Sequence, residues 1–139
     1  MRRVLFDTNI VLDVLLDRRP YAEASALVWA VVEAGFAEGL LAAHAVTTIH
    51  YLVRKEKGNV KARRIVSAIL RVFRVATVDS AVVQEALELS CPDFEDAVTA
   101  AAARSAGCEC IVTRDPKGFR GSPLPALTPE ALTPLLHEG

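Results

Sequence analysis

Residues 1–16 read MRRVLFDTNIVLDVLL, and the fold turns on how Asp7, Thr8 and Asn9 are understood between the two apolar runs that flank them. Residues 2–6, with the wholly apolar run at 4–6, read as a short strand buried on both faces. From residue 9 to 16 the spacing changes. Ile10, Val11, Val14 and Leu15 recur at helical intervals, with Asp13 and Asp17 off that face. The three polar residues thus sit where a buried strand hands over to a helix. There they serve either as a helix cap or as the first corner of an active site.

Outward from this junction the chain alternates. RRPY at 18–21 breaks the first helix, and Pro20 is placed to start a second, running through Leu27, Val28, Val31 and Val32 to Gly35. EGLLAA, at about 38–43, predicts a second strand, followed by a helix from about 45 to 56 that ends at Gly58. Residues 60–73 predict an amphipathic helix with Ile65, Ile69 and Val72 on one side. VATV at 75–78 predicts a third strand, and residues 80–90 and an alanine-rich stretch, 93–106, two further helices. CIVT at 110–113, a short strand at Ala126 and Leu127, and a helix from Pro129 complete the alternation. Short apolar strands separated by helices imply an α/β fold: a three-layer α/β/α sandwich on a central, mainly parallel sheet, in one domain over 1–139.

Composition narrows the function classes. With 52% hydrophobic and 24% charged residues among 139, the chain reads as globular rather than disordered. Charge interrupts every long apolar stretch, so no membrane span is expected; the run at 4–6 is too short for a secretory signal, and the expected location is cytoplasmic. Cys91, Cys108 and Cys110 are odd in number and include a C-x-C pair without the second pair a zinc site needs, so they read as small core residues. Net charge is −1, but residues 54–74 hold eight bases against Glu56 alone, while residues 75–139 hold four bases and ten acids. Arg54, Lys55, Lys57, Lys61, Arg63 and Arg64 are therefore candidates for a phosphate-facing, nucleic-acid-binding surface, or simply a solvated helix face.

In open α/β sheets ligands bind beyond the carboxyl ends of the strands. Asp7, Thr8 and Asn9 follow the first strand, Arg114 and Asp115 the fourth, and PDFED at 92–96 brings Asp93, Glu95 and Asp96 to the start of the alanine-rich helix. Each acid has a structural use on its own: Asp7 and Asp93 as helix caps, Glu95 and Asp96 in a first turn, Asp115 in an Asp-Pro turn. Together on one edge they repel each other unless a cation intervenes. Oxygen donors with open positions suit Mg²⁺ or Mn²⁺ rather than zinc, and such ions support phosphodiester cleavage.

Residues VLFDTNIVLDVLLDR, DFEDAVTAAAA, CIVTRDPKGF and PLPALTPEAL, in that order, resemble the PIN-domain ribonucleases, many of which are toxins of bacterial toxin–antitoxin pairs. The resemblance implies a PIN-like fold and a Mg²⁺- or Mn²⁺-dependent endoribonuclease, a hydrolase acting on single-stranded RNA, with an antitoxin as partner. It places catalytic and metal-binding roles on Asp7, Asp96 and Asp115, with Asp93 a further metal acid. Thr8, Asn9, Glu95 and Arg114 would support them, Arg114 by offsetting negative charge. A homodimer is also expected, on a helix face such as Leu27, Val28 and Val31.

The chain departs from that pattern twice. Many members carry a Glu in the helix after the second strand, whereas AVTTIHYLVRK offers His50 at about that position and no acid between Glu38 and Glu56. Three outcomes stay open: Glu95 or Asp93 supplies the charge, His50 serves as ligand or phosphate contact, or metal binds weakly. Many relatives also have Asp before the Phe of the last motif, where this chain has Gly118. An alternative function is a PIN-like scaffold that binds RNA or protein without cutting. A haloacid-dehalogenase phosphatase would want a second Asp where Asn9 stands, and a receiver domain would put its key Asp after a third strand.

Overall fold

Arg3–Phe6 (β1) lies at the centre of the sheet because its alternate residues face two different cores: Val4 and Phe6 one way, Leu5 the other. The structure, a computed structural model, describes residues 2–138; residues 1 and 139, the ends of the expected 1–139 domain, lie outside the described residues. Thr8–Leu15 (α1) and Ala22–Glu33 (α2) follow, then Glu38–Ala42 (β2), Ala43–Lys57 (α3) and Asn59–Ile69 (α4). Arg74–Ala76 (β3), Ser80–Glu88 (α5) and Phe94–Ser105 (α6) lead to Cys110–Val112 (β4). A 3-10 turn at Pro116–Phe119, Ala126–Leu127 (β5) and Pro129–Glu138 (α7) end the chain.

All four pairings are parallel, in the order β3-β2-β1-β4-β5. The chain builds outward from β1 in one direction, then returns to its other side for β4. That reversal leaves a crevice between the carboxyl ends of β1 and β4, the place where such sheets bind ligands. Helices α1 to α4 and α7 cover one face, with Val4, Phe6, Leu41 and Val112 beneath them; α5 and α6 cover the other, over Leu5, Leu40 and Ile111. The expected three-layer α/β/α sandwich is the observed fold. Alanine explains the second layer: Ala97 and Ala100 to Ala103 are buried, so α6 lies close on the sheet. Cys108 and Cys110 are buried, as their reading implied, whereas Cys91 is only half-buried against the second core; all three are free.

The structure corrects the sequence reading at four places. The helix expected over 60–73 stops at Ile69; residues 70–73 turn instead, with Phe73 N–H donating to the Ile69 carbonyl at 2.8 Å. Its third apolar position belongs to a turn that drops Phe73 into the core, edge-on to Phe6 and Trp29. Pro20 precedes α2, which begins at Ala22, and the Arg19–Pro20 peptide bond is cis. Val28 and Val31 belong to the core, leaving only Leu27 of that trio exposed, so they are not a dimer face. Asp13, read as lying off the apolar face, is fully buried. No helix among the described residues is long and apolar enough to cross a membrane.

Gly39 in β2 shows how tight this packing is. A Cβ there would meet Phe73 Cδ1 at 2.7 Å and Val32 Cγ1 at 3.0 Å. Gly39→Ala is expected to lower unfolding stability by about 1–3 kcal/mol through overpacking, read as a lower urea midpoint at unchanged slope.

Candidate active site

The crevice between β1 and β4 is a cavity of about 280 Å³ lined by Asp7, Thr8, Asn9, Leu12, Thr48, Leu52, Glu95, Asp96, Thr113, Asp115 and Phe119. Three separate chain segments bring its four carboxylates together. Asp7 directly follows β1, caps α1 by accepting from Thr8 N–H at 2.9 Å, and accepts from Thr113 Oγ1 at 2.8 Å. Its capping and site-forming tasks coexist because the cap lies at the carboxyl edge. Burial pushes the Asp7 carboxyl above its ordinary value, against the pull of Thr113.

Asp96 and Glu95 arrive at the start of α6. Asp93 caps that helix, accepting from Asp96 N–H at 3.1 Å, and does not itself line the cavity. Its carboxylate can nonetheless bring an oxygen within 4.8 Å of oxygens of Glu95 and Asp96. Asp96 is pushed up to about 7, first by burial and then by the charges of Asp7, Glu95 and Asp93. Glu95 is held down by His44, whose Nε2 lies 2.7 Å from Glu95 Oε2. A carboxylate only accepts, so Nε2 carries the proton there. Thr99 Oγ1 adds a second bond to the same oxygen at 2.9 Å.

Asp115 follows β4. It sits at the start of the 3-10 turn without making a side-chain cap bond, and its N–H donates to Thr113 Oγ1 at 3.1 Å. The turn use suggested by its Asp-Pro pair therefore leaves its carboxylate uncommitted. A Cβ at Gly118 would lie 3.0 Å from Asp96 Oδ2 and 3.4 Å from Asp115 Oδ2, so both oxygens converge on the space that this glycine leaves.

Not every candidate reaches the cavity. His50 does not line it; from α3, Thr48 and Leu52 do, one turn apart. The α3 corner therefore presents a hydroxyl and an apolar side chain, with Glu95 of α6 supplying the nearby carboxylate. Arg114 also lies outside the lining, its Nε 2.9 Å from Asp13 Oδ2 and its guanidinium 4.0 Å from the Tyr21 ring centre. Asn9 lines the cavity and accepts from Arg18 Nη1 at 3.3 Å. Arg54, Lys55 and Lys57 occupy the end of α3, and Lys61, Arg63 and Arg64 lie on α4, all exposed. Arg74, in the same charge run, pairs instead with Glu38 at the opposite, amino edge of the sheet. Sequence reasoning missed Thr113, His44, Thr48 and Thr99; only Thr113, inside the TRD motif, carried any local signal.

The four carboxylates of the lining, Asp7, Glu95, Asp96 and Asp115, offer only oxygen donors, which fits a hard divalent cation. The convergence of Asp96 Oδ2 and Asp115 Oδ2 on the space at Gly118 is the specific observation in its favour, and a cation there would relieve the part of the Asp96 shift that neighbouring carboxylates add to burial.

The fold has close counterparts. FitAcB from Neisseria gonorrhoeae is 22% identical, with 91% of this chain and 98% of that chain covered at a TM-score of 0.71. A toxin–antitoxin complex from Klebsiella pneumoniae is also 22% identical, covering 91% and 97% at 0.67. Mycobacterium tuberculosis VapC20, a Sarcin-Ricin loop cleaving toxin, is 19% identical, covering 78% and 86% at 0.62. At these identities the likeness is one of fold. No curated protein sequence matches the chain. The PIN-domain family, however, matches by sequence over residues 3–117, from the first residue of β1 past Asp115, and the chain belongs to that family.

Proposed function

We propose that this PIN-domain protein is a Mg²⁺- or Mn²⁺-dependent endoribonuclease that hydrolyses phosphodiester bonds of single-stranded RNA, and that it is the toxin of a toxin–antitoxin pair. The observation that carries the reading is the convergence of Asp7, Glu95, Asp96 and Asp115 on one cavity at the switch point of the sheet. The toxins among its structural counterparts support the biological role.

Asp7, Asp96 and Asp115 would hold the ion, with Glu95 beside them. When bound, a divalent ion acidifies water and offsets the charge that develops at phosphorus during in-line displacement. Thr113 orients Asp7 and the Asp115 backbone; His44 and Thr99 keep Glu95 charged and in place. Asp93 contributes by capping α6 and by its negative charge. Metal binding by this oxygen set is tested by titrating Mn²⁺ calorimetrically into wild type and Asp96→Ala. Measurable binding that Asp96→Ala loses supports the reading, and binding equal in both contradicts it.

The basic block gives the substrate a path. Arg54 lies six residues beyond Thr48 on α3, roughly 9 Å along the helix axis. Arg54 and Lys55 also lie 5.6 and 5.4 Å from the centre of the exposed Tyr51 ring. Cations beside an exposed aromatic ring suit single-stranded RNA. Reversing Arg54, Lys55 and Arg63 to Glu is expected to weaken RNA binding at least tenfold at low salt. The slope of log affinity against log salt should shrink by about 2, at roughly 0.7 per phosphate contact on a single strand. Fluorescence anisotropy on labelled RNA, in EDTA, measures both.

One observation favours a second reading, a scaffold that binds RNA or protein without cutting: α3 turns Thr48 and Leu52, not an acid, towards the cavity. On that reading the basic block binds RNA, but no divalent ion accelerates its loss.

A further inference from the structure

We infer that Asp13 is a positioning residue for the cavity: by gripping Arg114 it fixes the segment that carries Asp115 against the helix that begins at Asp7. The inference rests on the reading of the cavity as a metal-dependent nuclease site, and it concerns residues outside the cavity lining.

Asp13 is the one acid within α1, and its side chain is fully buried. A carboxylate in a helix otherwise packed with Ile10, Val11 and Leu12 is costly there, and an apolar residue of similar size would serve a purely structural core at least as well. Its surroundings are specific. Oδ2 lies 2.9 Å from Arg114 Nε and accepts from Ser25 Oγ at 3.4 Å. Tyr21 stacks on the guanidinium at 4.0 Å, so Arg114 is held by a charge at its edge and a ring on its face. That arrangement accounts for arginine rather than lysine at this position.

The connection to the site follows from the chain. Thr113 and Arg114 are consecutive, and they reach α1 at two different places. Thr113 Oγ1 donates to Asp7 at the first end of α1, while Arg114 meets Asp13, six residues and roughly 9 Å further along. A single contact would act as a pivot. Two contacts fix the direction of the segment, and Asp115 is its next residue, with its N–H on Thr113 Oγ1 at 3.1 Å. Arg114 thus serves the site by its attachment to Asp13, whereas the sequence suggested a direct offset of phosphate charge.

The test compares Asp13→Ala and Arg114→Met with wild type and with Val28→Ala, a core substitution that leaves the Asp13–Arg114 pair in place. Two quantities are read: hydrogen exchange of the Asp115 amide by NMR, and Mn²⁺ affinity by calorimetry. Both staple variants should speed Asp115 exchange at least about tenfold and weaken Mn²⁺ binding about 10–100-fold, the range for outer-shell partners of metal ligands. The double variant should be no worse than the poorer single one, since both break the same link. Val28→Ala should lower the melting temperature and leave both readings unchanged. If Asp13→Ala does not fold, Arg114→Met decides alone. The inference is overturned if a folded staple variant exchanges Asp115 as wild type does, or if Val28→Ala gives the same losses. Should wild type bind no Mn²⁺, the metal reading of the cavity fails, and Asp115 exchange still decides the staple.

Discussion

Asp7→Asn is expected to reduce RNA cleavage by about a thousandfold or more while leaving the fold intact. Asn retains an oxygen to accept from Thr8 N–H, and its amide can donate to Thr113 Oγ1 in place of accepting from it, so the cap at the start of α1 survives. What is lost is one anionic oxygen donor at the switch point. Lewis-acid stabilisation by a metal is worth several kcal/mol in the transition state, and each 1.36 kcal/mol is a factor of ten in rate, which gives the size of the expected loss. Because burial already disfavours the Asp7 carboxylate, the variant should be at least as stable as wild type in EDTA. Circular dichroism and a urea melt, run beside the cleavage assay, separate the two effects. A variant that cuts as fast as wild type would remove Asp7 from the site.

The second large effect is a pH dependence of the wrong sign for an ordinary paired carboxylate. Asp96 is raised from 3.8 to about 7, so between those values the folded protein holds a proton that the unfolded chain has released. Stability of the metal-free protein should therefore fall as pH rises through this window and level off above about 7. Asp7, also raised, acts in the same direction. Glu95, lowered by His44, adds stability above its unfolded value and loses it only in acid. Mn²⁺ competes with the Asp96 proton, so its affinity should climb with pH up to about 7. Urea midpoints at pH 5 and pH 8 in EDTA test this, and Asp96→Asn should flatten the difference and raise the midpoint at pH 8. A wild-type midpoint that increases from pH 5 to pH 8 would contradict the crowding of carboxylates on which the site rests.

Much of the fold was legible because its elements are short, apolar and sharply punctuated. VLF before Asp7 and CIV before Thr113 are strands by composition alone, and Gly58 and Gly107 mark helix ends at positive φ. Where the reading failed, one pattern had two physical meanings. Ile65, Ile69 and Val72 keep helical spacing, yet the turn after Ile69 buries its apolar residue as well as a further helical turn would.

The carboxylates were legible for a different reason: each has a structural use on its own, but the order of strands and helices brings them all to the carboxyl edge of one sheet. Their supports were not. Thr113 meets Asp7 across 106 residues, and Thr99 and His44 meet at Glu95 only after α6 packs beside the start of α3. Asp13 illustrates the limit most clearly. Helical periodicity assigned it to the solvent face because it is charged, and only the return of Arg114 from the far end of the chain gives that charge a buried partner.

The central claim is that the acidic cavity cuts RNA with the help of a divalent ion. It is tested most directly by incubating the purified protein with a mixed pool of single-stranded RNA, with Mg²⁺ or Mn²⁺ and with EDTA, alongside Asp7→Asn. The account predicts internal cleavage with either ion, none in EDTA, restoration when the ion is added back, and none above background from Asp7→Asn. Cleavage that persists in EDTA, or RNA left whole with both ions present, would contradict it.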